Sequence, residues 1–165
     1  TIIQNLLKLG RLTVKDIMTP KTVMLRSKED ISVSDFYKNF KPLSFYRIPV
    51  FEGTSDHITG VVLKTRILKE LAEDRHETLL SEIKRSVIYV TEYLPLTQLL
   101  DKLVTGKSQM AIVTDHFGTV IGLVTYEDLF ETLLGFEITD ETDTVENMQE
   151  LAKAQWEERA KKSKK

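Results

Sequence analysis

The sequence contains no cysteine, which excludes disulfide bridges and thiolate metal sites. It also lacks any run of about 18 apolar residues, the length that a membrane-spanning helix needs. The formal net charge is only −2, whereas a dedicated nucleic-acid-binding domain is usually strongly basic. The three histidines are scattered, and there is neither a phosphate-binding P-loop nor the glycine-flanked serine of a hydrolase. We therefore expect no nucleic-acid partner, no catalytic residues and no metal site built from protein ligands alone.

The remaining composition is that of a folded globular protein. The 165 residues are 41% hydrophobic and 29% charged, and a chain of this length can bury enough surface for a core. The chain begins with Thr1 rather than methionine, and we expect it to be a fragment of a longer protein. Near the other end, residues 137–150 carry six acidic residues and no lysine or arginine. This charge pattern predicts a solvated linker, and helical spacing of apolar residues predicts an amphipathic helix after it.

An internal duplication is the most informative feature of the sequence. Residues 46–51 and 58–63 form two β-rich runs joined by a polar turn, which is the pattern of a hairpin. Residues 110–114 and 120–124 repeat this pattern, and Gly60 lies 62 residues before its counterpart in the second repeat.

The segments around the two hairpins repeat as well. Apolar residues at helical spacing precede each hairpin, and a further helix follows each of them, around 64–73 and 126–134. A short β-rich run begins each half, at 22–25 and 87–90. Because a unit of about 60 residues buries its sheet poorly alone, the two halves should pack against each other. The predicted fold is α/β (α+β), with two pseudo-symmetric β-α-β-β-α motifs packed through their sheets, plus N-terminal and C-terminal flanking helices.

Residues 122–128, which read GLVTYED, carry the candidate chemistry. Thr125 follows a predicted strand and begins a helix, and Asp128 lies one turn into that helix. One interpretation is a capping box, in which the two side chains only satisfy the first amides of the helix. The other is a ligand site, because helix N-termini favour phosphate and a nearby carboxylate can accept both ribose hydroxyls. The local pattern leaves both interpretations open.

The two repeats, over about residues 14–134, and the Gly-apolar-apolar-Thr-x-x-Asp stretch resemble the cystathionine-β-synthase (CBS) domain family. The resemblance implies a pair of CBS motifs that binds AMP, ADP, ATP or a related adenosyl ligand in a cleft. It also implies four segments along the chain, which are a linker helix at 1–13, CBS motif 1 at 14–76, CBS motif 2 at 77–136, and an acidic linker with a C-terminal amphipathic helix at 137–165.

Carried over from the family, the site combines residues from both motifs. Thr125 and Asp128 are expected to hold phosphate and ribose. The adenine wall is expected around Tyr46, Arg47 and Pro49, with Thr19 at the mouth. Arg47 could also reach the phosphates, or it could be a solvated residue at the edge of the hairpin.

The first motif departs from the family pattern. Residues 60–66 read GVVLKTR, so Leu63 stands where the threonine should be and Arg66 where the aspartate should be. Without a hydroxyl and a carboxylate this cleft lacks its ribose anchor, and we expect one nucleotide for each pair of motifs.

Four stretches sharpen the resemblance to the CorC, hemolysin-C and cyclin-M (CNNM) group, which is associated with magnesium and cobalt efflux. They are VKDIMTP at 14–20, YRIPV at 46–50, GLVTYEDL at 122–129 and LGFEITDETD at 134–143. This likeness implies a regulatory, non-enzymatic module that forms a homodimer and lies on the cytoplasmic side of an integral membrane protein, after its transmembrane domain. The ligand would be ATP or AMP, with Mg²⁺ bound through the phosphates. The alternatives are a dimerisation platform without a ligand and a CBS module of another enzyme or channel.

Overall fold

The computed structural model describes residues 1–135, 156–157 and 159–160. Both repeats fold as β-α-β-β-α. The first consists of β2 (Ser27–Lys28), α3 (Val33–Phe40), β3 (Arg47–Phe51), β4 (Ile58–Leu63) and α4 (Lys64–Ala72). The second consists of β5 (Ile88–Thr91), α6 (Leu96–Thr105), β6 (Met110–Thr114), β7 (Val120–Thr125) and α7 (126–135). The connecting elements are α1 (Ile2–Arg11), α2 (Val14–Ile17), β1 (Thr19–Pro20), a 3₁₀ turn (Lys21–Val23) and α5 (Leu80–Ile83).

The two sheets have matching topology. In each, the hairpin is antiparallel (β3 with β4, β6 with β7), and the first strand of the repeat pairs in parallel with the first strand of the hairpin. The strand order is β2-β3-β4 in one sheet and β1-β7-β6-β5 in the other. This arrangement confirms the predicted α/β fold of two pseudo-symmetric motifs.

The prediction of a strand at residues 22–25 was wrong. The β-rich run 22–25 was expected to pair, but Lys21–Val23 forms a 3₁₀ turn and the strand is Ser27–Lys28. The apolar side chains of the run serve packing instead, since Met24 lies against the cluster between the sheets and Leu25 against the core of the first motif. The strand that does pair is a two-residue edge strand, which is short and polar as edge strands often are.

In each motif, the sheet is extended by a segment from the other half of the chain. That segment lies just before the other motif in the sequence. β1, which comes before the first repeat, pairs with β7 of the second, with Thr19 opposite Leu123. Arg85, which comes before the second repeat, forms a β-bridge with Val61 of the first. These crossings explain the repeated glycines, because a Cβ at Gly60 would lie 2.7 Å from the Arg85 carbonyl oxygen and one at Gly122 would lie 2.7 Å from the Thr19 carbonyl oxygen.

Three groups of buried side chains hold the molecule together. One lies between sheet and helices in the first motif, and another lies between sheet and helices in the second. The third, which we call the intersheet cluster, joins the two motifs and contains Ile58, Val61, Met110, Ile112, Val120 and Leu123.

The connecting helices pack across the sequence repeats. Leu9 and Val14 of α1 and α2 belong to the core of the second motif, whereas Leu80 and Ile83 of α5 belong to the core of the first. The boundaries 14–76 and 77–136 stay a prediction about the sequence repeat, and the packing of these helices crosses them.

The C-terminal part is described only in pieces. The acidic segment 137–150 lies outside the described residues, while 156–157 and 159–160 are helical and Trp156 is exposed. None of the helices in the described parts of the chain combines the length and the apolar character needed to cross a bilayer.

Candidate functional site

Strand alternation directs part of β3 toward the other motif. Ile48 and Val50 lie in the helix-side core of the first motif, whereas Phe51 packs against the intersheet cluster. Because side chains alternate along a strand, Arg47 and Pro49 lie on the same face of β3 as Phe51, which is the face directed at the second sheet. Pro49 is buried there, and Arg47 is half-buried at the beginning of the strand.

A cleft opens where this end of β3 meets the second motif. It has a volume of about 300 Å³, and its lining residues are Tyr46, Arg47, Leu63, Thr65, Arg85, Gln109, Met110 and Glu127. The lining comes from both motifs. Met110 is the register partner of Thr125, so the cleft lies beside the N-terminus of α7.

Thr125 and Asp128 form a reciprocal cap at that N-terminus. The Thr125 amide donates to Asp128 Oδ2 at 2.8 Å, and the Asp128 amide donates to Thr125 Oγ1 at 3.2 Å. The capping-box interpretation is therefore confirmed as local structure. It does not exclude a ligand, because the Thr125 hydroxyl can turn its proton from the Asp128 carboxylate to a phosphate oxygen, and the bond to the Thr125 amide uses only one carboxylate oxygen of Asp128.

The electrostatic surroundings of Asp128 connect it to Arg47. Burial raises the pKa of the Asp128 carboxyl above its ordinary value of 3.8, while hydrogen bonds to the carboxyl from the Thr125 amide and the Thr125 hydroxyl and the charge of Arg47 oppose that shift. Arg47 Nη2 also lies 3.4 Å from Glu127 Oε2, which joins the first motif to α7 across the cleft. The structure thus brings Arg47, Thr125 and Asp128 together, and it does not leave Arg47 as an isolated residue of the hairpin edge.

The other two predicted positions lie nearby. Tyr46 lines the cleft but is largely exposed, and Lys64 Nζ lies 5.3 Å from the centre of its ring. Thr19 is opposite Leu123 in the β1–β7 pairing. Leu123 lies two residues before Thr125 on β7, so their side chains share one face of the sheet. The roles of all six predicted residues in ligand binding stay predictions.

Sequence reasoning missed two charged residues of the cleft, Arg85 and Glu127. Arg85 lies in a connecting segment, and only its bridge to Val61 brings it to the cleft. The signal in the sequence that could have pointed to Arg85 was the repeated glycine at position 60, because a glycine within a strand often marks the close approach of another backbone.

The first motif places different chemistry at the corresponding position. Leu63 pairs with Arg47 as Thr125 pairs with Met110, and it stands at the N-cap of α4 without a side-chain cap. Arg66 occupies the position of Asp128 and donates to Glu70 at 3.1 Å. A cavity of about 450 Å³ opens beside these residues and shares Leu63, Thr65 and Arg85 with the lining of the 300 Å³ cleft.

Comparison with known proteins gives these features a family. A model of the CBS domain matches residues 80–135. UPF0053 protein YhdP of Bacillus subtilis (strain 168) is 33% identical over 141 residues, which cover 84% of this chain and 31% of that protein. Magnesium and cobalt efflux protein CorC of Escherichia coli (strain K12) is 28% identical over 161 residues, covering 96% of this chain and 55% of CorC. The chain therefore spans about a third to just over half of the length of these relatives.

Solved structures support the same assignment. The CBS domain of the bacterial CNNM/CorC family Mg²⁺ transporter in complex with ATP is 31% identical, with a TM-score of 0.69 over 81% of this chain and 95% of that chain. The same domain in complex with the inhibitor IGN95a gives a TM-score of 0.72 at 31% identity, covering 81% of this chain and 83% of that chain. With two CBS motifs, matching topology and this similarity in sequence, the chain belongs to the CNNM/CorC family, of which it forms the CBS-domain module.

Proposed function

We propose that this module binds one adenine nucleotide, ATP or AMP with Mg²⁺, and regulates a membrane protein involved in magnesium or cobalt homeostasis. The observation that carries the proposal is the position of Arg47 beside the N-terminus of α7, where it pairs with Glu127 and acts on the charge of Asp128, which is bonded to Thr125. The similarity to a CBS domain that was solved with ATP supports the choice of ligand, and the name of the relative CorC supports the choice of process.

Each residue has a role that its chemistry allows. The start of α7 and the Thr125 hydroxyl would hold phosphate, because the first amides of a helix attract anions. Asp128, with a carboxylate oxygen beyond its bond to the Thr125 amide, would accept the ribose hydroxyls. Tyr46 and Pro49 would border the adenine, and Thr19 would stand at the mouth.

Arg47 would exchange one partner for another when a nucleotide binds. In the structure its guanidinium pairs with Glu127 across the cleft. Phosphate oxygens are stronger partners for arginine, so a bound nucleotide would draw Arg47 away from Glu127. This exchange offers a way to pass ligand binding from α7 to the first motif.

Magnesium would enter with the phosphates. Within the described part of the chain, no group of three acidic, histidine or cysteine side chains is placed to hold a metal ion. Glu127 and Asp128 would repel a polyphosphate, and Mg²⁺ is commonly bound by phosphates with few protein ligands. The ion would therefore reduce repulsion between the nucleotide and these two carboxylates.

We further propose that two copies of the module form a homodimer through α4 and α7. Leu68 of α4 and Phe130 of α7 occupy corresponding positions in the two motifs, and both are exposed, as is Leu134. Exposed apolar side chains on two related helices are typical of a protein interface. The module would lie on the cytoplasmic side of the membrane, and α1 would connect it to a transmembrane domain.

Calorimetric titration with ATP, ADP and AMP, with and without Mg²⁺, tests the nucleotide proposal. We expect saturable binding near one nucleotide per chain, and loss of that binding in Asp128→Ala. Asp128→Asn keeps an acceptor for the Thr125 amide and should still weaken binding by about tenfold, because a charged acceptor is lost. Asp101→Ala, the same change on an exposed part of α6, serves as the control and should bind like the wild type.

Two results would contradict the proposal. Absence of binding by every adenine nucleotide would leave a dimerisation platform, with Thr125 and Asp128 serving only as a helix cap. Undiminished binding in Asp128→Ala, with thermal unfolding showing a folded variant, would place the nucleotide elsewhere. A transmembrane region upstream in the gene would support the membrane role over that of a module in another enzyme.

A further inference from the structure

The cleft of the first motif has a strongly basic lining. Its cavity of about 450 Å³ is lined by four basic side chains and one carboxylate, that of Glu82, together with Leu63, Thr65 and Ile83. The four basic residues are Arg66, Lys69, Lys84 and Arg85. A neighbouring cavity of about 300 Å³ adds Lys107, and Arg85 lines both. Volumes of this size are in the range of small-molecule sites, which begin at about 300 Å³.

Part of this positive charge is not neutralised by the protein. Lys84 Nζ lies 2.6 Å from Glu29 Oε2, and Arg66 is paired with Glu70. Arg85, in contrast, donates to the neutral side chain of Gln109 at 3.2 Å. Lys69 forms none of the ion pairs found among residues 1–135.

The lining also contains one carboxylate, that of Glu82. Glu82 accepts a hydrogen bond from the Leu79 amide at 2.8 Å, at the start of α5. This partner is neutral, so Glu82 keeps its charge, and the lining holds four basic side chains against one acidic side chain. Lys69 and Arg85 therefore remain as cations that an external anion could neutralise.

The backbone beside these cations also favours an anion. Leu63 has no side-chain acceptor to cap α4, whereas Thr125 and Asp128 cap α7. The Lys64 amide is satisfied by the Tyr46 carbonyl oxygen at 2.8 Å, and the α4 N-terminus otherwise lies at the cavity wall that Thr65 and Arg66 line. The dipole of the helix adds partial positive charge at this end. The replacement of threonine and aspartate by leucine and arginine thus changes a ribose-type site into an anion-type site.

We propose that the first-motif cleft binds a small polyanion carrying two or more phosphate groups, and that it does so without a ribose contact. Lys69 and Arg85 bind the phosphates, with Arg66, Lys84 and the Thr65 hydroxyl at the sides. The anion is either a free condensed phosphate or the polyphosphate of a nucleotide, since both present the same groups. This site adjoins the nucleotide cleft, with which it shares Leu63, Thr65 and Arg85 in its lining. It does not depend on Asp128, so the Asp128→Ala background is used to isolate it.

Titration of the full chain carrying Asp128→Ala with inorganic tripolyphosphate tests the proposal. Saturable binding near one tripolyphosphate per chain is expected. Lys69→Ala and Arg85→Gln should each weaken it by about tenfold or more, because each removes a charge-assisted hydrogen bond. Lys102→Ala, which removes the same charge from the exposed side of α6, should leave affinity within about twofold of the parent.

Each outcome bears on the site. Absence of tripolyphosphate binding, or equal weakening by Lys102→Ala, would overturn it, the latter because the attraction would then be general. A second, weaker ATP site that remains in the Asp128→Ala chain after the first is lost, and that depends on Lys69 and Arg85, would support the site with a nucleotide polyphosphate as the ligand. Binding of tripolyphosphate but not ATP would support it with free condensed phosphate. The nucleotide site at Thr125 and Asp128 is tested by comparing the wild type with Asp128→Ala. The polyanion site is tested within Asp128→Ala, so failure of either proposal can be recognised without the other.

Discussion

Single side chains distinguish the two clefts. Thr125 and Asp128 cap α7 through two reciprocal hydrogen bonds, and they offer a rotatable hydroxyl and a second carboxylate oxygen to a ligand. At the same two places in the first motif, Leu63 and Arg66 offer no hydroxyl and no carboxylate. The strand topology is the same in both motifs, so the chemical contrast between the two clefts comes from side chains, namely these two positions together with the basic residues Lys69, Lys84 and Arg85.

Glu70 is the residue through which pH should affect stability. It is only 2% exposed, and its carboxylate accepts hydrogen bonds from Arg75, Thr78 and Arg66. The hydrogen bond from Arg75 is the main cause that lowers the pKa of Glu70 from 4.5 to about 2. A lowered pKa in the folded state means that the ionised carboxylate stabilises the fold, and that this contribution disappears as pH falls from 4.5 toward 2.

We therefore expect Glu70→Gln to reduce the free energy of unfolding at neutral pH. The difference from the wild type should narrow as pH falls below 4.5 toward 2, because the wild type then loses the same charge. Urea denaturation at a series of pH values measures this difference. Glu77→Gln, at an exposed position in the same connection, should change it little. A wild-type to Glu70→Gln difference that stays constant across this pH range would contradict the assignment.

At the scale of secondary-structure elements, the crossing strands account for the position of both clefts. β1 reaches β7 and brings Thr19 to the second cleft, and the Arg85 bridge to Val61 brings a cation to the first. Both approaches need a glycine opposite them. A side chain at either glycine would push the crossing segment away from the sheet.

Gly122→Ala should consequently destabilise the fold by about 1–3 kcal/mol, the usual cost of an extra methyl group in a packed site. The new Cβ would lie 2.7 Å from both the Thr19 carbonyl oxygen and Met18 Sδ. The same change at Gly10, where nothing lies within 4 Å of the added atom, should be neutral or stabilising by up to about 1 kcal/mol, because alanine favours helix. Chemical denaturation of both variants compares the two sites, and equal stabilities would show that β1 can move without cost.

At the scale of the whole molecule, the duplicated helices α4 and α7 leave apolar residues on the surface. Phe130 is 53% exposed and Leu134 58% exposed, while the ring of Tyr126 stacks on Phe130 at 5.9 Å. Burial of these side chains in a second copy would remove apolar surface from water, which is the main driving force of association.

Phe130→Glu should weaken the homodimer by about tenfold or more, since it places a charge where an aromatic anchor is expected. Sedimentation analysis over a range of protein concentrations measures the change. Phe117→Glu makes the same substitution in the turn between β6 and β7, at a residue that is 81% exposed, and should leave the dimer intact. A chain that is monomeric before mutation, or one that dissociates equally with both variants, would remove α7 from the interface.

Much of the fold was accessible from the sequence because its signals are local. The hairpins at 46–63 and 110–124 and the helices beside them follow from residue periodicity and turns, and the duplication showed that the halves are related. The strand expected at 22–25 was wrong, because β-rich composition there reflects packing of Met24 and Leu25 rather than backbone pairing. The candidate site was named through Thr125 and Asp128, while the salt bridge between Arg47 and Glu127 was not.

The amino-acid sequence determined the repeat, the hairpins with their adjacent helices, and the contrast between Thr125–Asp128 and Leu63–Arg66, since these depend on neighbours along the chain. Tertiary structure decided which distant residues meet. The pairing of β1 with β7, the position of Arg85 in the basic cleft and the link from Arg47 to α7 all join residues more than 20 positions apart. Such contacts depend on how the two sheets pack, and local propensity carries no information about that packing.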